Sequence, residues 1–556
     1  MKTKFNRSIL LSLVAAMTVS LFSACGSGKT AKTENNSGSS STASTSDNTL
    51  PIVKDKLTLT YWMPLETKYS ATMKNINDME MSKELEKRTG IHIEYQHPVA
   101  GQETTQFNLM IASGDLPDIL ETNWMGKPGG PDKALQDGVI IDMTDLVNKY
   151  APNYKSMLEK TPQAVKELTT RTGKHYMMSG VYEDSEMMIM QGLQMRKDWL
   201  DKLGLKVPET ISDWYTTLKA IKEKDPNGNG KADEIPLLSL GYKSNISLID
   251  NVGIFASAWG VGQDYYSADD GKVKFGPIQP EFKEFLKEMN KWYKEGLIDP
   301  DFATTDKKMF DSKITEGRAG AWSAGLMGDM GKYLTFFKSQ NPPGAVIAAP
   351  YPKLSASGKA YNMNTNMNSR IVTSGCSITK ANKHPVETVK WFDYSYSKEG
   401  NLLYNYGIEG LTYNVVNGKI EFTDLVLKNP QGWDRTTALG HYCRGAAATG
   451  AHNPDLGIFD MRAYMPEQLD AKKKIWKAAS VDHTLPNLVP EESESQKQAS
   501  ILTEVYTYAN EAITKMVMGA EPIDNFDKFV DTLKKMKIDE ATAIKQKALD
   551  DFKSKK

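Results

Sequence analysis

The chain has 556 residues, and its 68 Lys and Arg balance 69 Asp and Glu to a formal net charge of −1. That balance removes any compositional case for nucleic acid binding, because a surface that tracks phosphates needs a strong basic excess. Beyond the N-terminal segment, roughly 500 residues are enough for two or three domains, and none of their apolar runs is long enough to span a membrane.

At the N-terminus, Lys2, Lys4 and Arg7 precede an apolar run from Ile9 to Phe22, the charged and hydrophobic regions of a signal peptide expected over residues 1–24. The run is interrupted by Ser12, Thr18 and Ser20 and falls short of the roughly 20 apolar residues of a transmembrane span. Phe22-Ser23-Ala24-Cys25 resembles a bacterial lipoprotein processing site, although leucine usually stands where Phe22 is. The resemblance makes Cys25 the lipidated first residue of the mature chain. The alternative is an ordinary cleaved signal peptide with an incidental cysteine. From Gly26 to Asn48 the composition is Gly, Ser, Thr, Asn and Lys with few apolar residues, so residues 25–53 read as a lipidated N-terminus and flexible tether. Only Cys376 and Cys443 remain, either as a disulfide or as two isolated buried thiols.

Beyond the tether, Leu57, Leu59 and Tyr61 alternate with Thr58, Thr60 and Trp62 as in a strand. Helical spacing from Met73 to Arg88 ends at Gly90, a second strand runs Ile91 to Tyr95, a helix is expected at Phe107 to Ala112, and Ile119-Leu120 begin a third strand. The succession implies an α/β domain on a largely parallel sheet. Farther on, Thr210 and Asp213 have the spacing of a capping pair for a helix carrying Trp214, Leu218 and Ile221. Phe282, Phe285, Leu286, Met289, Trp292 and Tyr293 form an apolar stripe closed by Gly296. Val386 to Phe392 and Ile501 to Val517 read as packing helices.

No zinc-binding pair of histidines, nucleophile elbow or phosphate-binding glycine fingerprint is present, and the seven histidines are scattered singly. An enzyme is therefore not expected, although a hydrolase built on two carboxylates is defined by their separation in space and stays open as an alternative. The sharpest local signal is the segment from Asp225 to Glu234. Asp225, Asn227, Asn229 and Asp233 stand at positions one, three, five and nine of a calcium loop, with Gly230 at six and the carbonyl of Lys231 at seven. A hard cation needs several oxygens converging from a tight turn. Position twelve is Pro236 instead of the usual glutamate, so Glu234 has to help close the shell. The expectation is a structural Ca2+; the alternative is a polar Asn-Gly turn without metal.

Several stretches, taken in order, resemble the extracellular solute-binding lipoproteins of carbohydrate ABC importers, the LipO-like group and the alginate-oligosaccharide binding proteins. They are Ser113 to Ile119, Arg196 to Gly204, Asp225 to Pro236, Trp292 to Pro300, Gly317 to Gly320 and Gly407 to Gly410. The resemblance implies a two-lobed α/β fold of periplasmic-binding-protein type, with maltose-binding-protein-like topology and an interlobe ligand cleft. One lobe would hold residues 54–180 and about 371–485, the other 181–370 and about 486–556, with crossings near Met178 to Tyr182 and Asn368 to Ser374. It also carries over calcium binding by Asp225, Asn227, Asn229, Lys231, Asp233 and Glu234.

Sugar capture in such a cleft uses aromatic planes and a few polar groups. The candidates are Trp62, Trp124, Tyr182, Trp259, Trp322, Trp433 and Tyr442, with Glu409 and Arg444 as polar candidates. For each aromatic the competing explanation is burial in a core. Cationic groups lining the cleft would suit a uronate-containing ligand, and an aromatic and amide cleft a neutral one. The implied partners are an oligosaccharide, the permease subunits of the importer and the membrane holding the lipid, with a monomeric body on the outer face of a Gram-positive cell membrane. A peptide receptor or adhesion module with the same anchor is the alternative function.

Overall fold

The computed structural model describes residues 49–241, 252–363, 369–447 and 449–555. Twelve strands are formed among them: β1 (Leu57–Trp62), β2 (Ile91–Gln96), β3 (Ile119–Thr122), β4 (Gln191–Arg196), β5 (Ile235–Leu237), β6 (Tyr265–Ser267), β7 (Val273–Phe275), β8 (Ala319–Gly325), β9 (Val346–Ala348), β10 (Gly375–Ile378), β11 (Tyr413–Val416) and β12 (Lys419–Phe422). Two four-stranded sheets organise them, in the orders β10-β3-β1-β2 and β5-β8-β4-β9, with β6-β7 and β11-β12 as separate hairpins.

In the first sheet β1 runs parallel to β2 and β3, as the strand, helix, strand succession implies, and β10 returns antiparallel to β3. The second sheet is mixed: β4 is antiparallel to both β8 and β9, and only β5 and β8 are parallel. The helix expected from Met73 is shorter, Glu80–Thr89, preceded by a single 3₁₀ turn at Ile76–Asp78. Asn75 and Asn77 are the cause. The Asn75 side chain accepts from Asn77 N and donates to the carbonyl of Tyr95, while Asn77 Nδ2 donates to that of Ile93, so the segment is tied to β2 instead of winding into a helix. Gly90 ends the helix at φ +77°, against the Val53 carbonyl, where a Cβ would lie 2.7 Å from that oxygen.

Thr210 and Asp213 do form a reciprocal capping box for the helix Ile211–Glu223, which buries Trp214, Leu218 and Ile221. The helix Pro280–Lys294 buries Phe282, Phe285, Leu286, Met289 and Trp292, so that stripe is core. Trp214 and Trp292 both pack edge-on against Phe255.

Two large apolar cores result. One takes its buried members from residues 59–187 and 371–459, and the other from 188–351 and 463–541. The chain leaves the first core beyond 178–182 and returns to it at 370–376, two segments that lie side by side where Met178 bridges Cys376, Val181 bridges Ile371, and Tyr182 N donates to the Arg370 carbonyl at 2.8 Å. A third passage lies between Phe459, in the first core, and Ala463, in the second. Residues 463–485, grouped by the sequence reading with the first lobe, place Ala463, Ala471 and Trp476 in the second core, and Trp476 Nε1 donates to the Ala349 carbonyl.

Candidate functional site

In open α/β sheets, ligands bind beyond the carboxyl ends of the strands. At those ends of β1 and β3 the chain sets Trp62, Phe107 and Trp124 in a row, with ring centroids 5.7 and 5.8 Å apart. Both tryptophans are buried, and Trp124 Nε1 donates to Ser377 Oγ at 2.8 Å. The ammonium of Lys127 sits 4.0 Å over the Phe107 ring. Tyr182 lies in one of the passages between the cores and packs against both of them, as does Met327 just beyond the end of β8. Its ring meets Phe459 edge-on at 6.5 Å.

A second aromatic group belongs to the helix Arg435–Tyr442 and the residues before it. Trp433 lies 5.0 Å from His441, whose ring meets Tyr442 edge-on at 4.9 Å, and both Trp433 and Tyr442 are half-buried. That helix abuts the short helix Thr67–Ser70, and a Cβ on Gly440 would stand 2.8 Å from the Lys68 carbonyl. Two cations join this neighbourhood. Arg435 stacks 3.5 Å over the Tyr464 ring, and Arg462 lies in the third passage, its field felt by Tyr182 and Lys68.

Other candidates lie elsewhere. Trp322 is fully buried in β8, donating to Gln194 Oε1 and meeting Tyr333 edge-on, which is core packing under the second sheet. Trp259 packs on Phe285 of the helix Pro280–Lys294. Glu409 is exposed beside the β11-β12 hairpin. Arg444 is buried and engaged. Its Nη2 donates to both carboxylate oxygens of Glu121, at 3.1 and 3.0 Å, and to the carbonyl and hydroxyl of Thr449. Tyr61 OH completes the cluster, donating to Glu121 and lying 2.8 Å from Cys376 Sγ. Burial pushes the Cys376 thiol well up, with the Glu121 charge adding to it, and burial likewise raises the Cys443 thiol. Both cysteines are free.

Thus Phe107 stands between Trp62 and Trp124, and His441 between Trp433 and Tyr442. The sequence reading omitted the cations Lys68, Lys127, Arg435 and Arg462. The available signal was positional for the first two, which follow closely on the ends of β1 and β3. Nothing local marks the other two.

The Asp225 to Glu234 loop joins the helix Ile211–Glu223 to β5. Asp225, at φ +43°, accepts from the backbone N–H of Gly228, Asn229 and Gly230, and Lys231 N donates to Asn229 Oδ1. Asn227 and Asn229 turn their amide nitrogens onto Asp233. Both carboxylate oxygens of Glu234 are buried beside the Asp225 carboxylate, with only the backbone N–H groups of Asn227 and Glu234 to stabilise their charge. Burial raises the pKa of Glu234, and the charges of Asp225 and Asp233 raise it further. Among the described residues no three His, Cys, Asp or Glu side chains stand close enough to form a finished metal site. The donors are nevertheless all oxygens, the chemistry calcium takes, and the buried, crowded carboxylates of Asp225 and Glu234 are what a cation would neutralise once the two amides turn their oxygens inward.

Comparison with known proteins gives the architecture its context. Residues 64–402 match the family described as bacterial extracellular solute-binding protein. The chain is 31% identical over 400 residues to the fructooligosaccharide ABC transporter substrate-binding protein FusA of Streptococcus pneumoniae, covering 67% of this chain and 68% of that one. It is 27% identical over 356 residues to lipoprotein LipO of Bacillus subtilis, covering 62% and 66% of the two chains. The crystal structure of alginate-binding protein AlgQ2 without calcium ion superposes with a TM-score of 0.69 at 26% identity, over 90% of this chain and 99% of that one. FusA and AlgQ2 are named as binding proteins, which supports a role that is not enzymatic. With its sheet order, its paired passages between two cores and its match over more than half its length, the chain belongs to the bacterial extracellular solute-binding protein family.

Proposed function

We propose that this protein captures an oligosaccharide between its two cores and delivers it to the permease subunits of an ABC importer, while a lipid on Cys25 holds it at the outer face of the cell membrane. The observation that carries the reading is the position of Tyr182, which packs against both cores from within a passage joining them. Closure of two bodies about such passages buries a ligand from both sides, excludes water from its hydroxyls and makes the closed form the one a permease can distinguish. The rings of Trp433 and Tyr442 are half-buried, which supports their stacking on sugar faces. The two lobes correspond in this reading to the two cores, and the tether of residues 25–53 keeps the receptor near its permease.

The same reading gives the Asp225 loop a structural calcium ion. Asp225, Asp233 and Glu234 would supply carboxylates, Asn227 and Asn229 amide oxygens, and Lys231 a carbonyl. When bound, the ion neutralises crowded carboxylates and fixes the junction of helix and β5.

Calorimetry of the purified protein against oligosaccharides and peptides, with product analysis of each mixture, tests the function. Binding of an oligosaccharide class at micromolar or tighter affinity without shortened products supports it. Binding of peptides alone, or release of shortened sugars, overturns it.

A further inference from the structure

Five lysine and arginine side chains are buried among the described residues: Arg196, Lys313, Arg444, Arg462 and Lys472. Four have a carboxylate in contact, namely Asp198, Asp299, Glu121 and Asp460 respectively. Arg462 is the exception. It is 9% exposed, and among the described residues its buried Nε has no hydrogen-bond partner and its one hydrogen bond is a long one from Nη1 to the Gly445 carbonyl at 3.4 Å.

An uncompensated buried guanidinium is costly. The cost shows in its acidity: burial brings the Arg462 pKa down to about 10, against the opposing influence of Tyr69 and Asp434. Asp434 offsets it only in part, from beyond ion-pair contact. That carboxylate is occupied at the start of the helix Arg435–Tyr442, accepting from the N–H of Thr436 and Thr437 and from Thr437 Oγ1.

Two more cations stand in the same neighbourhood without a carboxylate in ion-pair contact. Lys68 reaches water, yet surrounding protein and the charge of Arg462 bring its pKa down to about 8, with Glu66 only partly offsetting them. Arg435 faces the Tyr464 ring, and burial lowers its pKa as well. Arg462 and Lys68 repel one another in the free protein, and Arg462 acts on Tyr182 and holds its guanidinium 5.9 Å from the Phe459 ring centroid. A fold that pairs its other buried cations has left this cluster open for a charge that arrives from outside. The planar fork of an arginine suits a carboxylate, which it grips with two parallel N–H donors, while the nearby rings offer faces to a pyranose.

We propose that Arg462, assisted by Lys68, forms a carboxylate subsite, so that the bound sugar is an oligosaccharide carrying uronic acid units. This rests on the oligosaccharide-receptor reading above and adds the charge of the ligand to it.

The test uses the full mature chain and calorimetry with short oligomers of galacturonate, mannuronate and guluronate, each compared with its methyl ester, alongside neutral fructo- and galacto-oligosaccharides. The expected result is that one oligouronate binds and esterification weakens it at least 10-fold. Arg462→Gln should lose a similar factor and no longer distinguish acid from ester, and Lys68→Gln, at an exposed position, should lose a smaller one. If Arg462→Gln does not fold, the acid and ester comparison on the unaltered protein decides alone. Binding of a neutral oligosaccharide with indifference to the uronates, or equal binding of acid and ester, overturns the carboxylate subsite and leaves the receptor reading standing. Absence of binding by every saccharide overturns both.

Discussion

The guanidinium of Arg444 lies 3.0 Å from the carboxylate of Glu121, and the two side chains are only 2% and 3% exposed. Burial works against the Arg444 charge, but Glu121 and the oxygens of Tyr69 and Tyr61 hold the guanidinium pKa well above its ordinary range. The pair links the loop after the helix Arg435–Tyr442 to β3 and, through Tyr61, to β1. Breaking a buried pair from one side strands the other charge, so Arg444→Met should cost about 3–5 kcal/mol of stability. Urea unfolding measures it. Ligand affinity of the folded variant should change little, and a large affinity loss at unchanged stability would return Arg444 to the binding site.

Trp322 and Trp433 separate packing from binding. Trp322→Ala empties a fully buried site beneath β8 and strands Gln194 Oε1, a loss of about 3–5 kcal/mol. Trp433 is half-buried and packs at a tilt on His441 alone among described rings. Trp433→Ala should stay within about 1 kcal/mol of the parent in stability, as exposed substitutions do, and weaken oligosaccharide binding about 10-fold. The two variants are read by one thermal melt and one titration each.

For the cation loop, a chelator should lower the melting temperature of the parent and leave Asp225→Ala unaffected. An ion present at about 1,000 times its dissociation constant adds about 4 kcal/mol to the native state, so the shift is readily seen. Glu234→Gln keeps the shape of the side chain but removes its charge, and should weaken calcium without abolishing the turn, whose hydrogen bonds come from Asp225 and Asn229. A melting temperature indifferent to both chelator and added calcium would make the segment a turn only.

Local pattern made the capping box of Thr210 and Asp213 and the Phe282 to Trp292 stripe legible in the sequence, because both depend on spacing within one helix. The parallel β1, β2 and β3 followed from alternating strands and helices. The mixed second sheet did not, since β4, β8 and β9 pair across more than a hundred residues with no local mark of direction. The site shows the same division. Arg444 and Arg462 look alike in the sequence, and only the arrival of Glu121 from β3 separates a satisfied cation from an open one. Trp322 and Trp433 were equal candidates until the fold placed one under a sheet and the other beside a helix end.

His452 gives the protein an acid-sensitive element. It is 1% exposed, its ring lies 5.3 Å from that of Tyr404, and burial together with the Arg444 charge lowers its pKa to about 3. Above pH 6.5 the imidazole is neutral in both the folded and unfolded chains and contributes no slope. As pH falls below that value the unfolded chain takes up a proton that the folded chain refuses, so stability is lost progressively until the folded pKa is passed. The limiting slope for one such group is about 1.4 kcal/mol per pH unit. Buried Glu167 acts in the opposite sense, because burial raises its pKa and its protonation favours the folded state on acidification. The clean measurement is therefore a difference between urea midpoints of the parent and His452→Asn at pH 7.5, 6, 5 and 4. The variant should be less stable at pH 7.5 through lost packing, and the gap should close as the pH falls. A gap that stays constant across that range would mean that His452 accepts its proton without strain in the folded state.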